Sequence, residues 1–289
     1  MKLAAIDIGS NAIRLQISRV LWDEEEQPLF KKLESIRFPL RLGKDVFRTG
    51  EISFRSETRF IDLMTAFRTL IDIYDVDDAF GCATSAMRDA DNGERILNRA
   101  YDKSGLHIEL ISGDEEAALL DRAVHNMVGT GHFMNIDVGG GSSEVNFTKD
   151  GMSYARKSFK LGSVRNMQKR DKAETWEDFE DWIAENQKGK VEKVIGTGGN
   201  IGSLHKLAGV PVGEDMSLGQ IRDVYDDLLQ RSMIYRVQQM GLREDRADVI
   251  TFGAEIYMKA MEQVKCDCMA VPNVGLKDGI IEMLYERNM

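Results

Sequence analysis

The sequence predicts an α/β protein made of two similar halves, and two observations support this fold class. Along most of the 289 residues, segments with the apolar–polar alternation typical of strands are followed by segments with the apolar spacing typical of helices. In addition, one pattern occurs twice: an apolar strand, an aspartate, a glycine turn and a second strand, at residues 3–17 and again at residues 133–147. The two halves are therefore expected to share one design.

The turn of each repeat combines glycine with an acidic residue. The first reads Ile-Asp-Ile-Gly-Ser-Asn over residues 6–11, and the second reads Ile-Asp-Val-Gly-Gly-Gly-Ser-Ser over residues 136–143. Glycine lets the backbone turn sharply and bring its N–H groups close to an anion such as phosphate. An aspartate cannot bind an anion directly, so we expect Asp7 and Asp137 to hold a divalent cation, or its bound water, beside the phosphate. The repeat therefore predicts a duplicated phosphate-binding cleft.

Each hairpin is followed by a further strand, a loop of small residues and a helix. The expected segments are a strand at 78–82, a loop at 83–88 and a helix at 94–103 ending at Gly105, and then a strand at 191–195, a loop at 196–200 and a helix from about Ile201. A small-residue loop that leads into a helix N-terminus favours anions, because free N–H groups and the helix dipole both attract negative charge. Four such loops facing one another would surround a polyphosphate.

Length and composition fit two domains and exclude several classes of protein. The length corresponds to about two domains at ~150 residues each, and 43% hydrophobic residues suffice for two cores. No apolar run approaches the ~20 residues of a membrane helix, and the N-terminus begins a strand instead of a signal peptide, so we expect no membrane partner and a cytoplasmic location. Three cysteines, Cys82, Cys266 and Cys268, cannot form a disulfide framework or a zinc site and are expected to be reduced, mostly buried thiols.

The formal net charge of -10 argues against a nucleic-acid partner, because nonspecific binding to nucleic acid needs a basic surface. A polyanionic substrate must then be bound by backbone N–H groups, a cation and a few arginines. The candidate arginines are Arg14, Arg41, Arg88 and Arg165. Arg41 and Arg165 are equally well explained as solvated surface residues.

Four further segments have the spacing of amphipathic helices. They are residues 60–74, after a polar start near Ser56, and residues 175–186, 247–264 and 276–287, the last of which follows a strand at 268–271. Their apolar positions indicate packing against a sheet, and no chemistry is implied for them.

The segment between the two repeats is the predicted source of the catalytic group. Residues 108–111 form a strand, Ser112 and Gly113 a turn, and residues 114–117 the acidic first turn of a helix. Acidic residues are favoured in any first helical turn by the helix dipole, which is the structural alternative. If the two hairpins flank a cleft, a carboxylate here could accept a proton from attacking water.

Several blocks, taken in order, carry a family resemblance. They are Ala4 to Asn11, Ala83 to Ala90, Ile111 to Ala117, Asp137 to Glu144, Gly196 to Gly199 and Asp245 to Asp248. In this order they resemble the exopolyphosphatase and guanosine pentaphosphate phosphohydrolase family, within the wider superfamily of actin, sugar kinases and heat-shock ATPases. The resemblance spans nearly the whole chain.

The resemblance implies a pair of actin-like (ribonuclease H-like) domains, each a mixed sheet with flanking helices, around a central cleft. The first domain would comprise residues 1–124 plus the C-terminal helix at about 274–289, and the second residues 125–273. It also implies dependence on Mg²⁺ or another divalent cation and removal of the terminal phosphate of polyphosphate or of the guanosine nucleotide pppGpp. Relatives resemble dimers, so a homodimer is expected.

The resemblance also assigns roles residue by residue. Glu116 matches the family's general base, and Asp137 with Glu144 matches its metal-linked catalytic carboxylates. Together with Asp7 from the first turn, Asp137 and Glu144 form the expected metal site. The expected phosphate-binding residues are Gly9, Ser10, Asn11, Arg14, Ser85, Arg88, Gly139, Gly140, Gly141, Ser142, Ser143, Gly198 and Gly199.

The chain also departs from the family pattern. Ala12 replaces a common serine, Asn200 a frequent threonine, and Lys277-Asp278 the usual Arg-Glu pair. Longer relatives continue with helical domains beyond the point that corresponds to Met289, so we expect short polyphosphates or a nucleotide instead of processive digestion of long chains. Two alternatives stay open: an ATP-dependent kinase or ATPase of the same superfamily, and a protein that binds polyphosphate or an alarmone without cutting it.

Overall fold

A computed structural model describes residues 1–125 and 129–289 of the chain. The chain divides into two compact units: unit 1 comprises Met1–Ala123 and Leu276–Met289, and unit 2 comprises Val124–Gly275. The bounds expected from the sequence, 124 and about 274, lie within two residues of this division. That the two units are the two predicted domains stays a prediction.

Unit 1 contains a five-stranded mixed sheet with the order β3-β2-β1-β4-β5. Its strands are β1 (Lys2–Ile8), β2 (Ile13–Trp22), β3 (Pro28–Phe38), β4 (Asp78–Ala83) and β5 (Ile108–Leu110). The first three pair antiparallel, and β4 and β5 continue the sheet in parallel with β1. The hairpin and the following parallel strand are therefore as the sequence predicts.

Helices flank this sheet. They are α1 (Leu42–Thr49), α2 (Phe54–Ile73), α3 (Ser85–Asp89), α4 (Gly93–Ser104), α5 (Gly113–His125), whose last two residues belong to unit 2, and the C-terminal α13 (Leu276–Asn288). The core under α13 contains Leu3 and Ala5 of β1 together with Ile280 and Leu284. The predicted C-terminal helix therefore packs on the central strand of unit 1.

Unit 2 repeats this plan in a six-stranded mixed sheet with the order β10-β11-β9-β6-β7-β8. Its strands are β6 (His132–Val138), β7 (Ser143–Lys149), β8 (Met152–Phe159), β9 (Lys193–Thr197), β10 (Met216–Ser217) and β11 (Cys268–Ala270). In unit 1, β1 pairs antiparallel with β2 and parallel with β4. In the same way, β6 pairs antiparallel with β7 and parallel with β9. The duplication read from the sequence is thus present in the strand pairing.

The helices of unit 2 are α6 (Ser163–Met167), α7 (Ala173–Asn186), α8 (Gly199–Leu207), α9 (Leu218–Gln230), α10 (Met233–Gln238), α11 (Glu244–Ala247) and α12 (Ile250–Gln263). The acidic helix α7 buries Phe179 and Ile183 in the core, as its spacing predicts. The helix predicted at 247–264 is present as α12, but it begins three residues later, at Ile250. The Val249 N–H donates to the Arg246 carbonyl in a tight i→i+3 bond, and this turn separates α11, which ends at Ala247, from α12.

One loop, two boundaries and the cysteines complete the comparison. The loop expected at 83–88 is partly helical, because α3 covers Ser85–Asp89. The strand expected at 191–195 runs from Lys193 to Thr197, and the helix expected from Ile201 begins at Gly199. The three cysteines are free thiols, as predicted. Within residues 1–125 and 129–289, no helix combines the length and the hydropathy that crossing a bilayer requires.

Candidate active site

The first glycine turn is held by backbone hydrogen bonds to the start of α1. The Gly9 N–H donates to the Ala12 carbonyl at 3.2 Å, and the Ser10 carbonyl accepts from the Gly43 N–H at 2.8 Å. The Asn11 carbonyl accepts from the Arg41 N–H at 3.1 Å. A planar trans peptide places its N–H opposite its C=O, so the N–H groups that follow these two carbonyls point away from α1. The turn therefore presents backbone donors on one side.

The second glycine turn is built in the same way against α6. The Gly139 N–H donates to the Ser142 carbonyl at 3.0 Å, and the Gly139 carbonyl accepts from the Ser163 N–H at 3.0 Å. The Gly140 carbonyl accepts from the Val164 N–H at 2.8 Å. By the same planarity, the N–H groups of Gly140 and the residue after it point away from α6. Both turns thus have the form of an anion-binding concavity.

Contacts behind the second turn explain why two further residues occupy their positions. A Cβ atom on Gly162 would lie 2.5 Å from the carbonyl carbon of Gly141, so only glycine fits between α6 and the turn. Arg165 is buried, and its Nε donates to the Gly141 carbonyl at 2.7 Å. The alternative of a solvated surface residue is therefore wrong for Arg165, which supports the turn.

The two turns differ in the residue that faces the aspartate. Asp7 pairs across the hairpin with Arg14, whose Nη1 donates to Asp7 Oδ2 at 2.7 Å. At the equivalent place in unit 2, Asp137 pairs with Glu144. Unit 1 therefore holds an ion pair where unit 2 holds two carboxylates, and part of the Arg14 guanidinium is committed to Asp7.

The carboxylate pair of unit 2 fits a divalent cation. Asp137 Oδ2 accepts from Thr197 Oγ1 at 2.6 Å, and Glu144 Oε1 accepts from Ser158 Oγ at 2.7 Å. Directly opposed like charges destabilise a strand pair unless a cation compensates them. Mg²⁺ is commonly held by one or two carboxylates that it shares with substrate phosphates and waters. Among the described residues no group of three or more His, Cys, Asp or Glu side chains could hold a metal.

The loop after β9 contains the third group of predicted residues. Gly198 has φ +97°, a backbone conformation that favours glycine, and Gly199 begins α8. A Cβ atom on Gly199 would lie 2.1 Å from Arg246 Nη2, and Arg246 donates a hydrogen bond to Asn200. Sequence reasoning assigned no role to Arg246, although its Asp-Arg-Ala-Asp block was among the matched motifs. It brings a positive charge to this glycine loop.

In unit 1 the structure separates the three acidic residues at the start of α5. Glu115 caps the helix: its Oε2 accepts from the Ser112 N–H at 2.7 Å, and its N–H donates to Ser112 Oγ at 3.2 Å. These hydrogen bonds lower the pKa of Glu115. Asp114 is exposed. Glu115 therefore has a structural role at the start of the helix, as acidic residues in a first helical turn often do. The neighbouring Glu116 does not share this role.

Glu116 is buried and lies beside Arg88. Arg88 donates from Nη1 to the Ile111 carbonyl, and its Nη2 lies 3.9 Å from Glu116 Oε2. Ser85, also buried, begins the short helix that carries Arg88. Arg88 therefore places a positive charge beside the buried Glu116 carboxylate.

Cys82 links Glu116 to the first turn. The thiol lies on β4, where its register partner on β1 is Asp7. Burial raises its pKa well above the ordinary value, and the negative charges of Asp7 and Glu116 raise it further. Within unit 1, Cys82 therefore lies near both the Asp7 carboxylate of the first turn and the Glu116 carboxylate.

Comparison with known proteins bears on this arrangement. A family model described as the Ppx/GppA phosphatase family matches residues 21–287. Exopolyphosphatase 1 of Mycobacterium tuberculosis is 24% identical over 306 residues, which cover 97% of this chain and 87% of that protein. A guanosine-5'-triphosphate,3'-diphosphate pyrophosphatase of Photobacterium profundum is 25% identical over 98% of this chain and 58% of its own length.

Solved structures agree with the fold. The crystal structure of the Aquifex aeolicus member of the Ppx/GppA family is 26% identical, with a TM-score of 0.79, and covers 100% of this chain and 99% of that chain. An exopolyphosphatase from Cytophaga hutchinsonii is 20% identical, with a TM-score of 0.84 over 99% of this chain and 98% of that chain, and it bears on the fold alone. The predicted family resemblance and the predicted mixed sheets with flanking helices are confirmed.

Proposed function

Because this chain belongs to the Ppx/GppA phosphatase family, we propose that it hydrolyses the terminal phosphoanhydride bond of a short inorganic polyphosphate or of pppGpp. Membership of this family and the names of its relatives establish the enzyme class, a hydrolase. The substrate, the cation and the role of each residue belong to the proposal.

The proposal rests on one observation: the two glycine turns have the same backbone arrangement, but a different residue faces the aspartate in each. Each turn presents backbone N–H groups to an anion, but Asp7 faces Arg14 in unit 1 whereas Asp137 faces Glu144 in unit 2. Phosphoryl transfer needs oriented donors, compensation of the phosphate charges and a positioned water. The turn of unit 1 supplies positive charge through Arg14, and the turn of unit 2 supplies two carboxylates that can hold a cation.

The proposed roles follow from these contacts. The N–H groups of the glycine turns and Arg88 bind phosphate oxygens, and Glu116 accepts a proton from the attacking water. The water oxygen forms a bond to the terminal phosphorus while the bond from that phosphorus to the bridging oxygen breaks, and the shortened chain leaves with the electron pair. The proton on Glu116 then passes to solvent.

A divalent cation, when bound, supplies charge compensation for the phosphate oxygens. Asp137 and Glu144 would hold it, with Thr197 and Ser158 orienting the two carboxylates through the hydrogen bonds already described. Asp7 is a weaker candidate ligand, because Arg14 already occupies its Oδ2 atom.

A phosphate-release assay tests this function. Purified protein is given Mg²⁺ and, in parallel, polyphosphates of several lengths, pppGpp and ATP, for the wild type and for Glu116→Gln. We expect phosphate release from polyphosphate or pppGpp, and the length series tests the expected preference for short chains. Asp114→Asn is the matched control, because it neutralises an exposed acid in the same helical turn.

The alternatives predict other outcomes. Turnover of ATP alone, or phosphoryl transfer to an acceptor, would establish a kinase or ATPase. Tight binding of polyphosphate or pppGpp with no hydrolysis by the wild type, and equal binding by Glu116→Gln, would establish a binding protein. Either result contradicts the proposed hydrolase.

A further inference from the structure

Tyr257 occupies an unusual position between two paired strands of unit 2. Its side chain is fully buried on α12. The hydroxyl oxygen accepts from the Val138 N–H at 3.2 Å, and the hydroxyl donates to the Thr197 carbonyl. Val138 belongs to β6 and Thr197 to β9, and these strands pair in parallel up to Asp137 and Thr197.

The register shows what this hydroxyl replaces. Take two residues that are paired across parallel strands, here Asp137 and Thr197. In the regular ladder the N–H of the residue after the first, Val138, would donate directly to the carbonyl of the second, Thr197. Here the Val138 N–H and the Thr197 carbonyl are that donor and acceptor, and the Tyr257 hydroxyl stands between them. The phenol thus satisfies both groups while it separates the two strand ends, as an inserted water would.

The strands part at the point where the proposed site begins. Beyond Val138 the chain enters the second glycine turn, and beyond Thr197 it enters the loop of Gly198 and Gly199. A Cβ atom on Gly198 would lie 3.3 Å from the Tyr257 hydroxyl oxygen and 3.4 Å from Asp137 Oδ1. The hydroxyl and the carboxylate therefore both lie close to the glycine loop.

Thr197 connects Tyr257 to the carboxylate. Its carbonyl accepts from the Tyr257 hydroxyl, and its own Oγ1 donates to Asp137 Oδ2 at 2.6 Å. A displacement of Thr197 would move the hydroxyl that orients Asp137.

From these contacts we infer that Tyr257 is a positioning residue, which separates the two loops of unit 2 and, through Thr197, orients Asp137 toward a divalent cation. This inference rests on the proposed function, because that function assigns the cation to Asp137 and Glu144. Tyr257 itself touches neither the cation nor the substrate.

Manganese binding in the absence of substrate tests the inference. Mn²⁺ serves as the probe, because free and bound Mn²⁺ are distinguished by electron paramagnetic resonance. We expect Tyr257→Phe, which keeps the ring and removes the hydroxyl, to weaken Mn²⁺ binding roughly 10- to 100-fold, as loss of an outer-shell partner typically does. Excess Mn²⁺ should restore most of the phosphate release, and amide exchange at Val138 should become faster.

Two further variants separate positioning from stability. Thr197→Val removes the hydroxyl that binds Asp137 and should weaken Mn²⁺ binding in the same way, whereas Thr197→Ser should keep it. Tyr225→Phe is the matched control: that tyrosine is partly exposed on α9 and donates to Glu255 at 2.7 Å, so its loss should leave Mn²⁺ binding unchanged. If Tyr257→Phe does not fold, the threonine pair decides the question.

The outcomes distinguish this inference from the proposed function. Wild-type Mn²⁺ affinity in Tyr257→Phe and Thr197→Val, with at most a lower melting temperature, overturns the positioning role and leaves the proposed function intact. A wild type that binds no Mn²⁺ overturns the cation site and the inference with it. A wild type that binds Mn²⁺ but releases no phosphate from any substrate overturns the proposed function alone.

Discussion

Arg88 and Glu116 lie side by side, with Nη2 of the arginine 3.9 Å from Oε2 of the glutamate. They come from different helices of unit 1, and Arg88 is also anchored on the Ile111 carbonyl, just before the turn that leads into α5. Of three consecutive acidic residues, only the buried one has this contact with Arg88 among the described residues. This contact supports the proposed role of Glu116 as the general base.

Replacing Glu116 by Gln should lower kcat by roughly 10²- to 10⁴-fold, because the amide cannot accept the proton of the attacking water. The size of the side chain is kept, so substrate binding should change little. Single-turnover phosphate release and equilibrium binding measure the two effects separately. Unchanged kcat would contradict the assignment, and Asp114→Asn should behave as the wild type does.

Replacing Arg88 by Lys should reduce kcat/KM by roughly ten- to a hundredfold, which corresponds to about 1.5–3 kcal/mol for hydrogen bonds to a charged group. Lysine keeps the charge but loses the planar set of donors, one of which serves the Ile111 carbonyl while others would serve the proposed phosphate. Steady-state kinetics measure the loss. Arg68→Lys provides the control, since Arg68 pairs only with Asp72 on the exposed face of α2 among the described contacts. Equal kinetics of Arg88→Lys and wild type would contradict the proposed phosphate-binding role of Arg88.

Replacing Gly162 by Ala should displace the second glycine turn. The new Cβ atom would lie 2.5 Å from the Gly141 carbonyl carbon and 2.6 Å from the Gly140 carbonyl oxygen, and backbone atoms must move to relieve the overlap. A displacement of about 1 Å can cost on the order of 10²-fold in rate. Gly219→Ala is the control, because the nearest atom there, Ser217 Oγ, is 3.7 Å away. The kinetics of both variants, with circular dichroism to verify folding, check the prediction, and wild-type activity in Gly162→Ala would refute it.

Replacing Gly279 by Ala should destabilise unit 1 by about 1–3 kcal/mol, the usual cost of overpacking. A Cβ atom there would lie 1.8 Å from the Leu119 carbonyl oxygen, so α13 and α5 would have to separate. Urea unfolding measures the change in the free energy of unfolding. A variant as stable as the wild type would show that this close approach is not required.

The pH dependence of stability should contain a contribution from Glu282. Burial, and then the negative charges of Asp278 and Glu286, raise its pKa to about 7, although Arg122 opposes the shift. The ordinary value is 4.5, so the folded state binds the proton more tightly than the unfolded state does. The stability contributed by this group is complete below pH 4.5 and is lost as the pH rises through about 7.

Thermal unfolding of wild type and Glu282→Gln between pH 4.5 and 8 tests this contribution. The variant should lose less stability over that range, because its neutral side chain does not titrate. Glu94→Gln, an exposed site on α4, is the control and should follow the wild type. Parallel curves for Glu282→Gln and wild type would contradict the prediction.

Much of the fold was predictable because its signals are local. The alternation in the two hairpins, the glycine after α4 and the apolar face of α7 each depend on residues a few positions apart. The same holds for the glycine turns, because their glycine content by itself predicts a backbone that can turn sharply. The start of α12 was predicted three residues too early, because the apolar spacing continues into a turn that only backbone hydrogen bonding reveals.

The sequence by itself thus determined the duplicated hairpins, their aspartates and glycines, and the acidic helix start at residues 114–116. Only the tertiary structure decided that Glu116 is buried beside Arg88 while Glu115 caps the helix, and that Arg165 lies behind a glycine turn. It also placed Tyr257 between strands whose contacting residues are 60 and 119 positions away along the chain. Such contacts come from packing of distant segments, and local propensity carries no record of them.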